Sequence, residues 1–157
     1  MYVIDLLPDE VYVAQEAPRV SSIGCHFRHV IEFMQMLGDQ AADGYGDYEL
    51  RNRIKSLERD RTAARIRVEE NGIRLQEILS GLGLDYPLIQ SQTPFVGADK
   101  VQLKTSLGRE LMYVIDHAVH HLALVRVLSM RCGVELPTNI GLAVATQENM
   151  KERGAAC

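Results

Sequence analysis

Cysteine is scarce in this sequence: Cys25, Cys132 and Cys157 are the three in 157 residues, an odd number at irregular spacing. That excludes a disulfide framework and predicts a reducing, cytoplasmic setting. Positive charge is not in excess either. Lys and Arg total 17 against 21 Asp and Glu, for a formal charge of -4. The chain therefore lacks the basic footprint on which nonspecific nucleic-acid binding rests. No apolar run approaches the roughly 20 residues of a membrane span. The opening MYVIDLLPDEVYV has no basic segment and no small-residue cleavage site, so no signal peptide is expected. Internal repeats, low-complexity tracts and the H-E-x-x-H signature of zinc proteases are absent. What remains is 46% apolar and 24% charged, an ordinary composition that excludes wholesale disorder. It predicts one domain over residues 1–157 with a core of its own.

Pro and Gly fall in clusters that cut the chain into periodic segments. The opening, to Ala17, reads as a short helix and a turn around Pro8, ended by Pro18. A first helix starts at Ser21 or Ser22, either of which can cap it, and runs to Leu37 before Gly38 and a polar loop. Leu50, Ile54, Leu57, Ala64, Val68, Leu75 and Leu79 form a stripe that predicts a second helix from about Tyr48 to Leu82. Gly72 inside it is a place for a bend or fray. Residues 85–105 change to an alternating pattern, YPLIQSQT and KVQLKT, which predicts a β-hairpin or extended crossover. A third long helix opens at Thr105 or Ser106 and ends near Cys132 and Gly133, and a short helix follows over 147–153. Together these segments suggest an all-α four-helix bundle with a crossover connection and a small hairpin.

The five histidines occupy two places only. His26 and His29 lie on the first long helix, and His117, His120 and His121 on the last. His117 and His121 are four apart and share one helix face, in line with Glu110, Val114, Leu124 and Leu128. Ser22, His26, His29, Phe33 and Leu37 make the corresponding inward stripe on the first helix. Buried imidazole is costly unless its nitrogens are partnered. Neutral imidazoles on facing helices satisfy that need by sharing a divalent cation such as Zn, Ni, Fe or Cu. Three protein ligands leave a coordination position open for water or substrate. The competing reading is a metal-free core in which the histidines bond one another.

With SIGCHFRHV and SLGRELMYVIDHAVHHLALV in view, together with GDYELRNR, the chain resembles the DinB/YfiT-like family of bacterial bundle proteins over most of its length. The resemblance implies a four-helix bundle, often dimeric, with a divalent metal (Zn, Ni or Fe) on His26, His117 and His121. His26 and His29 are three apart and both are able to face inward, so spacing leaves the third ligand open between them. With His26 as ligand, His29 stands beside the metal or serves as a pocket base, His120 is rotated away from the pair, and Arg28 and Tyr113 are able to reach the pocket. Relatives of known activity include thiol-dependent transferases and isomerases. Against that layout the N-terminus here reads as short, so that the first bundle helix is incomplete.

Other residues carry bland readings beside functional ones. Cys25 reads as core, or as a thiol beside the metal site that is able to ligate the ion or be oxidised. Arg28 or Arg109 is able to bind a carboxylate, or, for Arg28, to tie a loop to a helix through Asp47 or Glu110. Tyr113 reads as packing or as a hydrogen-bond donor in the pocket. The stretch RNRIKSLERDRTAARIRVEE carries both signs and reads as a solvated face. The expectation is a metal-dependent hydrolase or thiol-dependent transferase acting on a small molecule or low-molecular-weight thiol, as a cytoplasmic homodimer with no nucleic acid or membrane partner. The alternatives are a non-catalytic metal- or ligand-binding stress-response bundle and a purely structural one.

Overall fold

The computed structural model describes residues 2–15, 17 and 20–154, and within them the chain is mostly helical with a small three-stranded sheet. A 3-10 turn at Val3–Leu6 leads into the short α1, Asp9–Val13. The long helices are α2 (Ile23–Asp43), α3 (Arg61–Leu82) and α4 (Leu107–Arg131), and α5 (Val144–Arg153) follows. Each long helix starts at a side-chain cap. Ser22 accepts from the Cys25 amide, Asp60 from Ala63 and Ser106 from Arg109. These bonds satisfy amides that have no partner inside the helix. The sheet orders β1 (Tyr45–Gly46), β2 (Pro87–Gln92) and β3 (Val101–Ser106). Pro87 pairs with Ser106 and Gln92 with Val101 in the antiparallel hairpin, while Tyr45 lies parallel to Ile89.

Helix α2 is the centre of the packing and touches α1, α3 and α4. One apolar cluster gathers Ile4, Tyr12, Ile23, Phe27, Ile31, Leu57, Ala64 and Val125; a second gathers Phe33, Leu37, Tyr48, Leu75, Leu88, Leu107 and Val114. The histidines of α2 fall along the seam with α4, between these clusters. The N-terminal end of α2 lies so close to the turn Lys55–Glu58 that a Cβ on Gly24 would collide with the Glu58 carbonyl. The buried Tyr12 hydroxyl fixes the same turn by donating to the Leu57 carbonyl at 2.6 Å.

Several boundaries depart from the pattern of the sequence. Helix α2 continues past Leu37 to Asp43, and the stop is Gly44, whose φ of 70° suits glycine. Gly38 stays inside the helix because its bare face receives the Arg74 guanidinium; a Cβ there would stand 3.2 Å from Arg74 Cζ. The second long helix begins at Arg61 rather than near Tyr48. Residues 48–50 and 55–58 are 3-10 turns, and Leu50 is 70% exposed, so its apolar spacing does not mark a buried face. Gly72 interrupts nothing. The hairpin agrees with the alternating pattern, and β1 is an addition to it. Leu124, placed on the inward stripe of the last helix by spacing, is 37% exposed, and Val125 is the buried residue there. Pro18 and Cys157 lie outside the described residues.

Helix α4 departs in a second way. By length and composition it is able to cross a membrane: an 18-residue window has mean hydropathy 1.3, and 11% of that window is buried within the chain. The run of charges at its start, Asp116 and the histidines conceal this in the sequence.

Candidate metal centre

Helices α2 and α4 bring four imidazoles into one place. His29 Nε2 stands 2.9 Å from His117 Nε2, and His26 Nδ1 stands 2.9 Å from His121 Nδ1. The rings of His29 and His121 are 4.6 Å apart, as are those of His117 and His121. One nitrogen each from His29, His117 and His121 lies within 4.8 Å of the other two. Nitrogen ligands on a tetrahedral zinc at 2.0–2.1 Å stand about 3.4 Å apart, so small side-chain rotations close the set around an ion. The donor set fits a borderline metal, being all imidazole. His26, the early-helix residue singled out by family position, is joined to the set through His121. His120 is exposed, with its ring edge-on to His121 at 5.2 Å.

The electrostatics keep these rings neutral. Burial pushes His29 down to about 3, helped by His121 and the Arg51 guanidinium. Burial and then His117 push His121 down to about 4. Burial is the main cause of the lowered values of His26 and His117 as well. Near pH 7 each ring therefore keeps a lone pair, the form that binds a metal.

Behind the histidines lies an ionic cluster that sequence reasoning missed. Glu32 is 2% exposed; Arg28 Nη1 donates to both its oxygens at 3.0 and 2.9 Å, and the Ile54 amide donates at 2.8 Å. Arg51 Nε stands 3.3 Å from the same carboxylate, and its guanidinium lies 5.6 Å over the Phe33 ring. Arg28 Nε also approaches Glu58 at 2.7 Å. Arg28 is thus a buried structural residue paired with Glu32 and Glu58, not with Asp47 or Glu110. Asp47 instead binds Lys100. The i, i+4 spacing of Arg28 and Glu32 was the available signal for half of this cluster; nothing local announces Arg51. Arg28 Nη2 also reaches Cys25 Sγ at 3.7 Å.

In the other direction the histidines meet an aromatic wall. Phe33 stacks on His117 at 4.2 Å and on Tyr48 at 4.8 Å, and Tyr113 stacks on His117 at 5.9 Å. Tyr113 is 38% exposed and lines the space in front of the wall. That space has two lobes, about 380 and 190 Å³, which share Tyr48, Gln90, Gln92 and Tyr113 and so form one basin. On the far side of His26 and His121 is an apolar cavity of about 160 Å³ lined by Phe27, Val30, Val68, Leu122 and Val125. The histidine cluster stands between a polar space and an apolar one.

No family model matches the chain, and no solved structure matches it. Among curated proteins it is similar to FK506-binding protein 5 of Rhizopus delemar. The two are 33% identical over 111 residues, which is 68% of this chain and 28% of that protein. The chain therefore spans little more than a quarter of the length of that relative.

Proposed function

We propose that this chain is a DinB/YfiT-like metal-binding protein that holds one divalent ion, Zn, Ni or Fe, on histidines of α2 and α4. The observation that carries the reading is the convergence of His29, His117 and His121 within 4.8 Å. In the same reading α1 to α4 are the elements of a four-helix bundle and the β2–β3 hairpin rides on its crossover. His117 and His121 hold the ion from one face of α4, and His29 completes the set. His26 fixes the orientation of His121 through the 2.9 Å contact between their Nδ1 atoms. When bound, such an ion supplies a Lewis acid that polarises a substrate oxygen or lowers the pKa of bound water or thiol. The residues around it bind and orient. Tyr113 and Phe33 wall the approach, and Arg51 brings positive charge to its edge. This arrangement suits a hydrolase or a thiol-dependent transferase, with a non-catalytic ligand-binding bundle as the second reading.

The same proposal makes the protein a cytoplasmic homodimer. Met112, Ile115, Val127 and Met130 are 39 to 60% exposed on α4 and call for a cover. Asp116 and the exposed His120 at mid-helix disfavour lipid as that cover, and a second copy is the partner that is always at hand.

Metal analysis of untagged protein tests the site. Wild type is expected to carry about one equivalent per chain, as a single three-ligand site requires. His121→Ala and His29→Ala are expected to lose it, while His26→Ala retains it with weakened affinity. Wild-type protein that holds no metal and takes none up overturns the reading. Loss in His26→Ala with retention in His29→Ala reassigns the third ligand to His26.

A further inference from the structure

The basin in front of the aromatic wall holds charges that the metal reading does not use. Glu110, on the first turn of α4, is 7% exposed and lines the larger lobe. It accepts from the Thr105 hydroxyl at 2.8 Å and from the Tyr48 hydroxyl at 3.2 Å, and among the described residues no cation pairs with it. A carboxylate has about four acceptor sites, so two donors leave it able to accept more. Buried carboxylates are ordinarily paired with a cation, because an uncompensated charge is costly out of water. At the rim of the same lobe, Lys104 and Arg109 carry positive charge, and neither has a carboxylate partner among the described residues. Opposite charges thus face one space without neutralising each other. At about 380 Å³ the lobe falls in the range of small-molecule sites. It opens onto rings that stack on His117.

We propose that this basin binds a small α-hydroxy or α-amino carboxylate with a planar body. Lys104 and Arg109 take the carboxylate, Glu110 accepts from the hydroxyl or ammonium group, and Tyr48 and Tyr113 flank the body. Bound in this way, the ligand presents its other end to His117. The inference names the ligand class for the metal site and rests on that reading for its purpose, although the binding itself uses none of the histidines.

That independence sets the experiment. Four probes are titrated by calorimetry into the full chain, both as purified and after chelation of metal: phenylalanine, 3-phenyllactate, 3-phenylpropionate without the donor, and phenethylamine without the carboxylate. At least one of the first two is expected to bind, each in both metal states. Removing the donor or the carboxylate is expected to weaken binding by roughly tenfold or more, the worth of a hydrogen bond to a charged group. A preference for phenylalanine identifies the amino acid class, and for phenyllactate the hydroxy acid class. The exposed double variant Lys104→Gln/Arg109→Gln is expected to abolish the advantage of the carboxylate. Glu110→Gln is expected to abolish the advantage of the donor, with circular dichroism showing the fold retained. The proposal falls if no probe binds, if phenethylamine binds as well as the carboxylates, or if the double variant leaves the preference unchanged. It falls equally if binding vanishes on chelation, because the ligand is then held by the ion. Metal content measured on the same samples reports separately on the histidine site.

Discussion

Helices α2 and α4 are both long and both carry histidines on the seam between them, yet the fold treats their remaining faces differently. Helix α2 is covered by α1, α3 and α4, and eleven of its residues are buried, Arg28, Glu32 and Gln40 among them. Helix α4 has five buried residues in a longer span and leaves Met112, Ile115, Val127 and Met130 open. Both helices bury polar groups, Glu110 and Ser129 on α4 included, but the helix with fewer neighbours leaves its apolar outer face open. A position's chemistry here is set by how many elements surround it and not by the hydropathy of its helix. The clustered histidines sit where the two regimes meet, half-buried and dry enough to stay neutral.

The largest way to break this comparison is at Glu32. Two guanidiniums and the Ile54 amide converge on it. Glu32→Ala leaves the buried Arg28 with Glu58 alone and the half-buried Arg51 without its carboxylate, and is expected to cost ~3–5 kcal/mol of unfolding free energy. Glu32→Gln keeps the shape and the acceptor but not the charge, and is expected to recover part of that loss. Urea unfolding of both variants at pH 7 checks it. A cost below ~1 kcal/mol, the worth of an exposed ion pair, would show that the interior of α2 is as solvated as the surface of α4.

Acid sharpens the comparison at the seam itself. His29 and His121 are held near 3 and 4, below the ordinary 6.5 that they recover on unfolding. Between those values the unfolded chain binds more protons than the folded one, so stability rises with pH in that window. It is fully present above about pH 6.5 and is lost as pH falls toward the folded values. Between pH 7 and 5 the two half-buried rings are expected to cost the metal-free protein ~2 kcal/mol after solvent screening, a fall in Tm of roughly 4–8 °C. The slope is expected to shrink in His29→Ala, which removes the most shifted ring. Thermal melts of chelated wild type and variant across that range measure it.

Much of this site was legible because histidine is rare and helical spacing is rigid. Spacing of four placed His117 and His121 on one face, and the Ser22 and Ser106 caps fixed where both helices begin. What stayed hidden depends on tertiary partners. Gly38 reads as a helix stop until Arg74 is seen lying against it. Leu50 and Ile54 read as helix, but the Ile54 amide is drawn away to Glu32, and that bond costs the chain a helical turn while bringing Arg51 to Phe33. The choice between His26 and His29 turns on which ring nitrogen faces α4, a matter of side-chain orientation that spacing of three cannot decide. The basin joins β2, β3 and α4 to the turn at Tyr48, and no local pattern foretells a contact made across 62 residues such as Tyr48 to Glu110.

The smallest effect on folding is expected where the exposed face is most apolar. Val127 is 47% exposed on α4, so a polar residue of similar size gives up little burial there. Val127→Asp is therefore expected to change the stability of the isolated chain by no more than ~0.5 kcal/mol, apart from the small helix-propensity difference. The same substitution places a charge on the face proposed to meet a second copy, and there it is expected to shift the protein from dimer to monomer, because a desolvated charge without a partner is not tolerated in an apolar contact. Sedimentation velocity over a concentration series separates the two effects. A dimer in wild type that dissociates in Val127→Asp, with unfolding of the monomer unchanged, supports the view that α4 is completed from outside the chain. A wild-type monomer whose Val127→Asp variant is destabilised by ~2 kcal/mol or more would mean that the face is already covered from within, and the contrast between the two helices would fall with it.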